Sequence, residues 1–375
     1  GGHRAEFDGY VIGITGSCGK TSTKDILALL MGSSSTCKTR ANLNNRLGLS
    51  LTLLGIDPAE HEYAVVEAGI SKPGEMDDLA CTLQPDAAIV TLVGEAHIEG
   101  LGTLDAVARE KYRLLESVRP GGFSLFPVEC LGYPDFLHES AGHWILCEVD
   151  PAPISRDFLH YHLEAAGGFG ADRLELRSRY FEPTWFELPF AAFGRGSVRN
   201  LSMALGTALR SGIKEDTLQE RLFEWTPSPL RGEIRVREGQ TFYVDCYNAN
   251  PVSMQEALDT FTQRFEQQPK LFVLGCMNEL GDDSKDLHRR AGSQIQLSAE
   301  DGVILCGEQA GALMDGLLGA GADTSAIRIV EQVEDARLQI EAFQGAILLK
   351  GSRSYGLETL LPDDETFEER RLAAC

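Results

Sequence analysis

Short apolar runs rich in β-branched residues recur along the chain and alternate with stretches of helical period. They predict strands at Val11–Thr15, Tyr63–Glu67, Ala87–Leu92 and Phe123–Phe126, and again at Phe242–Asp245, Lys270–Leu274, Gly302–Cys306 and Ala346–Lys350. Strands that read apolar throughout and alternate with helices belong to parallel sheets covered on both faces, so the expected fold class is α/β. Between about Pro127 and Phe193 the pattern is less regular, richer in aromatic and His residues, and predicts no definite element. The Pro- and Gly-bearing stretch from Trp225 to Gly232 separates the two strand series and reads as a domain boundary, giving domains 1–228 and 229–375. Asp363–Arg371 fits either a terminal helix or a frayed tail.

The first strand runs directly into Gly16-Ser17-Cys18-Gly19-Lys20-Thr21-Ser22, a glycine turn followed by a lysine and hydroxyl residues that open a helix. This pattern suits a nucleotide-phosphate cradle. Glycines let the backbone approach an anion, successive N–H groups and the helix dipole point at it, Lys20 neutralises phosphate oxygens, and Thr21 offers a hydroxyl to Mg²⁺. The longer P-loop pattern would need glycine where Ile14 stands, so the match is to the shorter Gly-x-x-Gly-Lys-Thr form. The plain alternative is an ordinary strand-to-helix turn.

Length and charge narrow the partners. At 375 residues the chain exceeds what one core usually covers. Its net charge of −22 argues against a nucleic-acid backbone or an anionic membrane surface as partner. Nine cysteines show no paired spacing of a zinc site or disulfide framework, and no run is long and apolar enough to insert in a membrane. A cytoplasmic protein with reduced thiols is expected.

Ligands in open α/β sheets gather at the carboxyl ends of the strands. Glu67 ends the run Tyr63–Val66, and His97 follows the strand at Ala87–Leu92 through Gly94-Glu95-Ala96. With Thr21 they could ring a cation bridging phosphates. Taken singly, each reads as readily as a surface, capping or structural residue.

The chain resembles the Mur ligases, nearest to their D-alanyl-D-alanine-adding branch. The resemblance is carried by Thr15–Thr21, Asn42–Gly48, Glu67-Ala68-Gly69 with Pro73-Gly74-Glu75, and Gly94–Gly100. It continues through Tyr247–Met254, Val273–Gly281 and Lys350-Gly351-Ser352-Arg353, all in family order. It implies a P-loop ATPase-type parallel-sheet domain followed by a Rossmann-like C-terminal domain, with ATP in a cleft between them. The implied activity is an ATP- and Mg²⁺-dependent carboxylate–amine ligase acting through an acyl phosphate. Its partners are a small-molecule or peptide carboxylate acceptor and an amino acid or dipeptide amine, and a monomer is expected.

The resemblance also implies roles. Lys20 meets the β- and γ-phosphates, Thr21 and Glu67 hold one Mg²⁺, and His97 and a carbamylated Lys111 hold another; unmodified, Lys111 is a helix-surface cation. Asp245, Asn248 and Asn250 lie over the nucleotide, Asn45 and Asn200 complete its cradle, and Lys350, Ser352 and Arg353 face substrate. As bland alternatives, the Tyr247–Pro251 turn is a capped connector and Lys350–Arg353 an exposed cationic turn.

Some positions depart from the family pattern. Glu233 stands where the family has arginine after Gly232, which sets an anion toward phosphate unless Arg231 or Arg235 reaches in. Cys276 replaces an aspartate and Gly196 a histidine. The opening uridine-binding domain does not appear, and His3–Phe7 reads as the link that would follow it. Two further readings fit the same residues: a Mur-type ligase using an acceptor without UDP outside the main cell-wall pathway, and a catalytically silent ATP-binding partner subunit.

Overall fold

A computed structural model describes residues 2–138, 142–148, 157–164, 172–189 and 194–362; the acidic segment Asp363–Arg371 lies outside them. The described residues divide into two compact units, the first running to Thr226 and the second beginning at Pro227.

The first unit runs α1 (Gly2–Ala5), β1 (Tyr10–Thr15), α2 (Lys20–Met31), β2 (Thr36–Lys38), α3 (Arg46–Leu54), β3 (Tyr63–Glu67), α4 (Glu75–Leu83), β4 (Ala87–Val90), α5 (Ile98–Leu101), α6 (Leu104–Glu116) and β5 (Phe123–Pro127). It continues with β6 (His143–Cys147), β7 (Asp157–Glu164), β8 (Arg173–Ser178), β9 (Phe181–Glu187), α7 (Arg195–Arg210) and α8 (Glu215–Leu222). Among the described residues nine strands form one sheet in the order β2-β3-β1-β4-β5-β6-β7-β8-β9. It is parallel through β7 and antiparallel across β7-β8-β9.

Strand period divides the side chains between two cores. Ile12, Ile14, Val65 and Ile89 join Leu27, Leu30 and Met31 of α2 and Leu201 and Leu205 of α7 on one face. Val11, Ala64, Val66 and Val90 join Leu79 and Leu83 of α4 and Leu114 of α6 on the other. Each fully buried aliphatic side chain contributes about 1.5–3 kcal/mol, so both faces hold β1 and its neighbours firmly. α6 starts where Thr103 Oγ1 accepts from Ala106 N, and turns Val107, Ala108, Lys111, Leu114 and Leu115 inward.

The second unit runs β10 (Glu233–Arg237), β11 (Gln240–Asp245), α9 (Pro251–Arg264), β12 (Lys270–Gly275), α10 (Ser284–Ser293), β13 (Gly302–Cys306), α11 (Ala310–Gly319), β14 (Ile327–Val330), α12 (Arg337–Ala342) and β15 (Gly345–Lys350). Its strand order is β10-β11-β15-β12-β13-β14, parallel except for the β10–β11 pair. β15 inserts between β11 and β12, and its register with β11 sets Asp245 opposite Lys350 at the carboxyl edge of the sheet.

Every predicted strand is present, within a few residues of its expected ends. The region from Pro127 to Phe193 contains two short 3₁₀ turns and β6–β9. β7 and β9 alternate buried and exposed positions with polar or aromatic residues outward, the pattern of a one-sided antiparallel ribbon rather than of a buried parallel strand. β10 escapes the apolar pattern too: Glu233-Ile234-Arg235-Val236-Arg237 is half-exposed throughout at the sheet edge, where charge is favoured.

Candidate active site

β1 delivers the chain into the glycine loop from inside the core. Gly16 takes φ 151°, and a Cβ there would lie 1.9 Å from Thr91 Oγ1. Gly19 takes φ 79° as it opens α2, and a Cβ there would lie 2.5 Å from Asn200 Oδ1. Both positions require glycine by conformation and by space. Ser17 stitches this loop to the one after β4: its amide donates to Leu92 O (2.8 Å), its hydroxyl to Gly94 O (2.8 Å), and it accepts from Gly94 N (2.9 Å). Thr91 Oγ1 meets the Cys18 carbonyl, so the loops that carry Lys20 and His97 are tied to each other.

Lys20 Nζ donates to Gly16 O at 2.7 Å, folding the ammonium back across the mouth of its own loop. Cys18 accepts a long contact, 3.9 Å, from Arg199 Nη2, and Ser22 continues the first turn of α2. Asn200, on α7, is buried, and its amide oxygen, beside Gly19, has no hydrogen-bond partner among the described residues. A buried polar atom of this kind costs free energy until something supplies a donor.

Glu67 is only 1 % exposed, and both carboxylate oxygens are engaged. Thr21 Oγ1 donates to Oε2 at 3.0 Å and Asn44 Nδ2 to Oε1 at 2.8 Å. Its amide donates to Thr39 Oγ1 at 2.9 Å, and Lys24 Nζ, also buried, donates to Thr39 O at 3.0 Å. Two donors thus fix the side chain, and Thr39, itself held by Lys24, fixes the backbone beneath it. Asn45, expected beside the nucleotide, instead caps α3 by accepting from Gly48 N, and its neighbour Asn44 reaches Glu67. Gly69 leaves the room for it: a Cβ there would come within 2.7 Å of Asn44 Cγ.

His97 takes φ 57° where it opens α5, a left-handed conformation uncommon outside glycine and a known mark of functional turns. Lys111 is 2 % exposed on α6, correcting the alternative of a helix-surface cation. Burial first, and the Lys20 ammonium second, push its amine well below the ordinary lysine range. Its surroundings favour the neutral amine that carbamylation requires.

In the second unit the carboxyl ends of β11 and β15 converge. Lys350, 1 % exposed, donates to Asp245 Oδ2 at 2.7 Å and to Asn248 O at 2.9 Å, which makes it an internal clamp of the turn after β11. Asn250 caps α9 in a reciprocal box with Ser253. Ser352 Oγ accepts from Asn278 N at 2.9 Å, and Arg353 is half-exposed and pairs with Glu358.

The departures from the family pattern sit quietly. Glu233 accepts from Arg235 Nε at 2.8 Å and Leu230 N at 3.2 Å, so its charge is answered locally. Cys276 is buried beside Tyr355, with its thiol pushed up to about 11 chiefly by burial, an unreactive state at neutral pH. Gly196 lies buried in the first turn of α7.

Sequence reasoning misses Thr39 and Thr91, short polar residues that directly follow β2 and β4, and gives no role to Asn44 within Asn42–Gly48, which only its place in the turn before α3 makes legible.

Comparison with known proteins fits this architecture. The family model described as Mur ligase middle domain matches residues 14–147, and that described as Mur ligase, glutamate ligase domain matches residues 230–353. The chain belongs to the Mur ligase family of ATP-dependent ligases. Among curated relatives it is similar to the UDP-N-acetylmuramoyl-tripeptide–D-alanyl-D-alanine ligases of Treponema pallidum, 30% identical over 361 residues (94% of this chain, 73% of the relative), and Bacillus subtilis, 29% identical over 357 residues (94% and 75%). Of solved structures, MurF from Acinetobacter baumannii matches with a TM-score of 0.78 at 27% identity, covering 96% of this chain and 77% of that one. Mycobacterium tuberculosis folylpolyglutamate synthase shares the fold, with a TM-score of 0.69 at 17% identity, covering 97% and 92%. The chain therefore spans about three quarters of the length of these MurF-type relatives. Among the described residues no helix is long and apolar enough to cross a membrane.

Proposed function

We propose that this chain is an ATP- and Mg²⁺-dependent ligase that joins D-alanyl-D-alanine, through its amine, to the terminal carboxylate of a peptide acceptor of the UDP-N-acetylmuramoyl-tripeptide type. The observation that carries the reading is the Thr21–Glu67 pair, 3.0 Å apart at the opening of the phosphate loop. A hydroxyl and a buried carboxylate meeting at the start of a helix suit Mg²⁺, which binds through one or two protein oxygens and keeps waters and phosphate oxygens. Thr21 and Glu67 would hold one ion, with His97 and a carbamylated Lys111 serving a second. The bound ion supplies positive charge against the phosphates.

The acceptor carboxylate oxygen attacks the γ-phosphorus, the bond to the β-bridging oxygen breaks, and ADP leaves with its electron pair. The free amine then attacks the acyl carbon, inorganic phosphate departs, and the nitrogen loses a proton to give the amide. Lys20 releases Gly16 O and turns to the phosphate oxygens, and the loop N–H groups hold the chain of phosphates in place. Asn200 offers its unpaired oxygen on the nucleotide side. In this reading residues 1–228 handle the nucleotide and residues 229–375 the amine, with Asp245, Asn248 and Asn250 beside the nucleotide and Ser352 and Arg353 beside the substrate. The free cysteines among the described residues suit a reducing compartment such as the cytoplasm.

The test is ADP release coupled to product mass, with UDP-linked and UDP-free tripeptides as acceptors and D-alanyl-D-alanine as amine. Amide formation on the UDP-linked tripeptide is expected. ADP release without any amide, or no ADP release at all, would remove the proposal, and a product only from the UDP-free acceptor would move it to the other acceptor class.

A further inference from the structure

His288, on α10, is 0 % exposed, and both of its ring nitrogens are engaged. Met277 N donates to Nε2 at 2.8 Å, so Nε2 carries no proton; Nδ1 carries it and donates to Ser284 O at 2.6 Å. Burial holds the imidazole below the ordinary histidine range and favours this neutral form, with the Ser284 carbonyl acting the other way. The ring is therefore a strut of fixed polarity between the first turn of α10 and the turn that follows β12. An apolar side chain would fill the same space but would leave the buried Met277 amide without an acceptor.

The turn after β12 has a conformation that its surroundings must maintain. Glu279 takes φ 62°, left-handed for a residue with a Cβ, and Gly281 takes φ 59°. Such backbone at a non-glycine residue persists only where contacts over-determine it, and it clusters at functional turns. Beyond His288 those contacts come from the turn after β15. Asn278 N donates to Ser352 Oγ (2.9 Å), Asn278 Nδ2 to Ser354 Oγ (2.9 Å), and Ser352 N to Cys276 O (3.2 Å). The two backbones also touch, since a Cβ at Gly351 would lie 2.8 Å from Gly275 Cα. His288 and Ser352 thus hold the consecutive amides of Met277 and Asn278, and a displacement of one reaches the other. Both turns leave the carboxyl edge of parallel strands, where ligands of α/β proteins bind, and Asn278 and Glu279 are exposed there.

We propose that His288 is a positioning residue: by holding the Met277 amide it fixes the turn after β12 and, through Asn278, the turn that carries Ser352 and Arg353, and so sets the affinity for the amine substrate without touching it. The identity of that substrate rests on the ligase reading, whereas the coupling of the two turns does not.

The test compares two substitutions in the full chain. His288→Gln places an amide where Nε2 lies and can accept from Met277 N, while His288→Asn places one where Nδ1 lies and leaves that amide unpaired. The expected result is a KM for D-alanyl-D-alanine raised about tenfold or more in the asparagine variant, with the KM for ATP within about twofold of wild type and the dipeptide KM largely recovered in the glutamine variant. Amide hydrogen exchange should quicken at residues 276–281 and 351–354 in the asparagine variant alone. A role in packing only would lower the stability of both variants and move neither the dipeptide KM nor the exchange at 351–354, and that result overturns the inference. A glutamine variant as impaired as the asparagine one overturns it too. If His288→Asn does not fold, Ser352→Ala cuts the far link: a dipeptide KM raised about tenfold sustains the inference and an unchanged one overturns it. A wild type that forms no amide removes the ligase reading, and the exchange at 351–354 then decides the inference by itself.

Discussion

The hydroxyl of Thr21 and the Glu67 carboxylate meet at 3.0 Å across 46 residues of sequence, because β1 and β3 lie side by side with Ile14 opposite Glu67. A cation arriving at Oε2 competes with the Thr21 proton, so the hydroxyl must rotate to present a lone pair to the ion. Thr21→Val removes the donor at nearly constant volume and Thr21→Ser keeps it. The magnesium concentration giving half-maximal ADP affinity should rise about 10- to 100-fold in the valine variant and little in the serine variant. Equal magnesium dependence in all three proteins would place the ion elsewhere.

Gly16 and Gly74 separate the two costs of adding a methyl group. Gly16→Ala meets both left-handed strain and a Cβ 1.9 Å from Thr91, whereas Gly74, at φ 83°, faces open space. Chemical denaturation should show Gly74→Ala less stable by about 1 kcal/mol and Gly16→Ala by several times that, with ADP binding lost only in the latter. Equal losses would mean that the loop relaxes around Thr91.

Lys111 makes stability depend on pH with a definite sign. Its native amine lies well below the ordinary lysine value of 10.5, so over that interval the unfolded chain binds the additional proton. Stability should therefore rise with pH from the lowered native pKa up to about 10.5, and the contribution is complete above that. Lys111→Met should flatten this slope in denaturation series at stepped pH and be the more stable protein near neutrality. Bicarbonate should raise the activity of the wild type alone. A slope unchanged by the substitution would mean that the amine titrates normally.

Glu233 is built into its surroundings, so restoring the family's cation there should not help. Glu233→Arg loses the bonds from Arg235 and Leu230 N and sets two cations together. Both partners are about a quarter exposed, which holds the expected loss near 1 kcal/mol, a fall in Tm of about 2–4 °C. ADP affinity should stay within about fivefold by the same scale of energy. A tenfold tighter complex would show that Glu233 does oppose the phosphates.

The strands buried on both faces were legible because their pattern is local and unambiguous: Tyr63–Glu67 or Lys270–Gly275 reads as sheet core without any knowledge of partners. β7–β9 were not, since a ribbon with one wet face mixes His, Arg and Glu with its apolar residues. The site follows the same division. Lys20, Thr21 and Glu67 stand out through their position after strands, but the choice of Asn44 over Asn45 to reach Glu67 depends on which of the two begins α3. Likewise, nothing in the spacing of Lys350 distinguishes a substrate-facing cation from one held between Asp245 and Asn248.

Because alternate residues of β3 face opposite cores, the strand tolerates no change of phase relative to β1. Deleting one residue between Tyr63 and Glu67 would turn the carboxylate away from Thr21 and drive Val65 and Val66 into each other's places. A deletion among the largely exposed residues 57–62 only shortens a connection. Length variation in this unit is thereby steered into the connections, and the spacing between phosphate loop and carboxylate is set by the hydrogen-bond ladder.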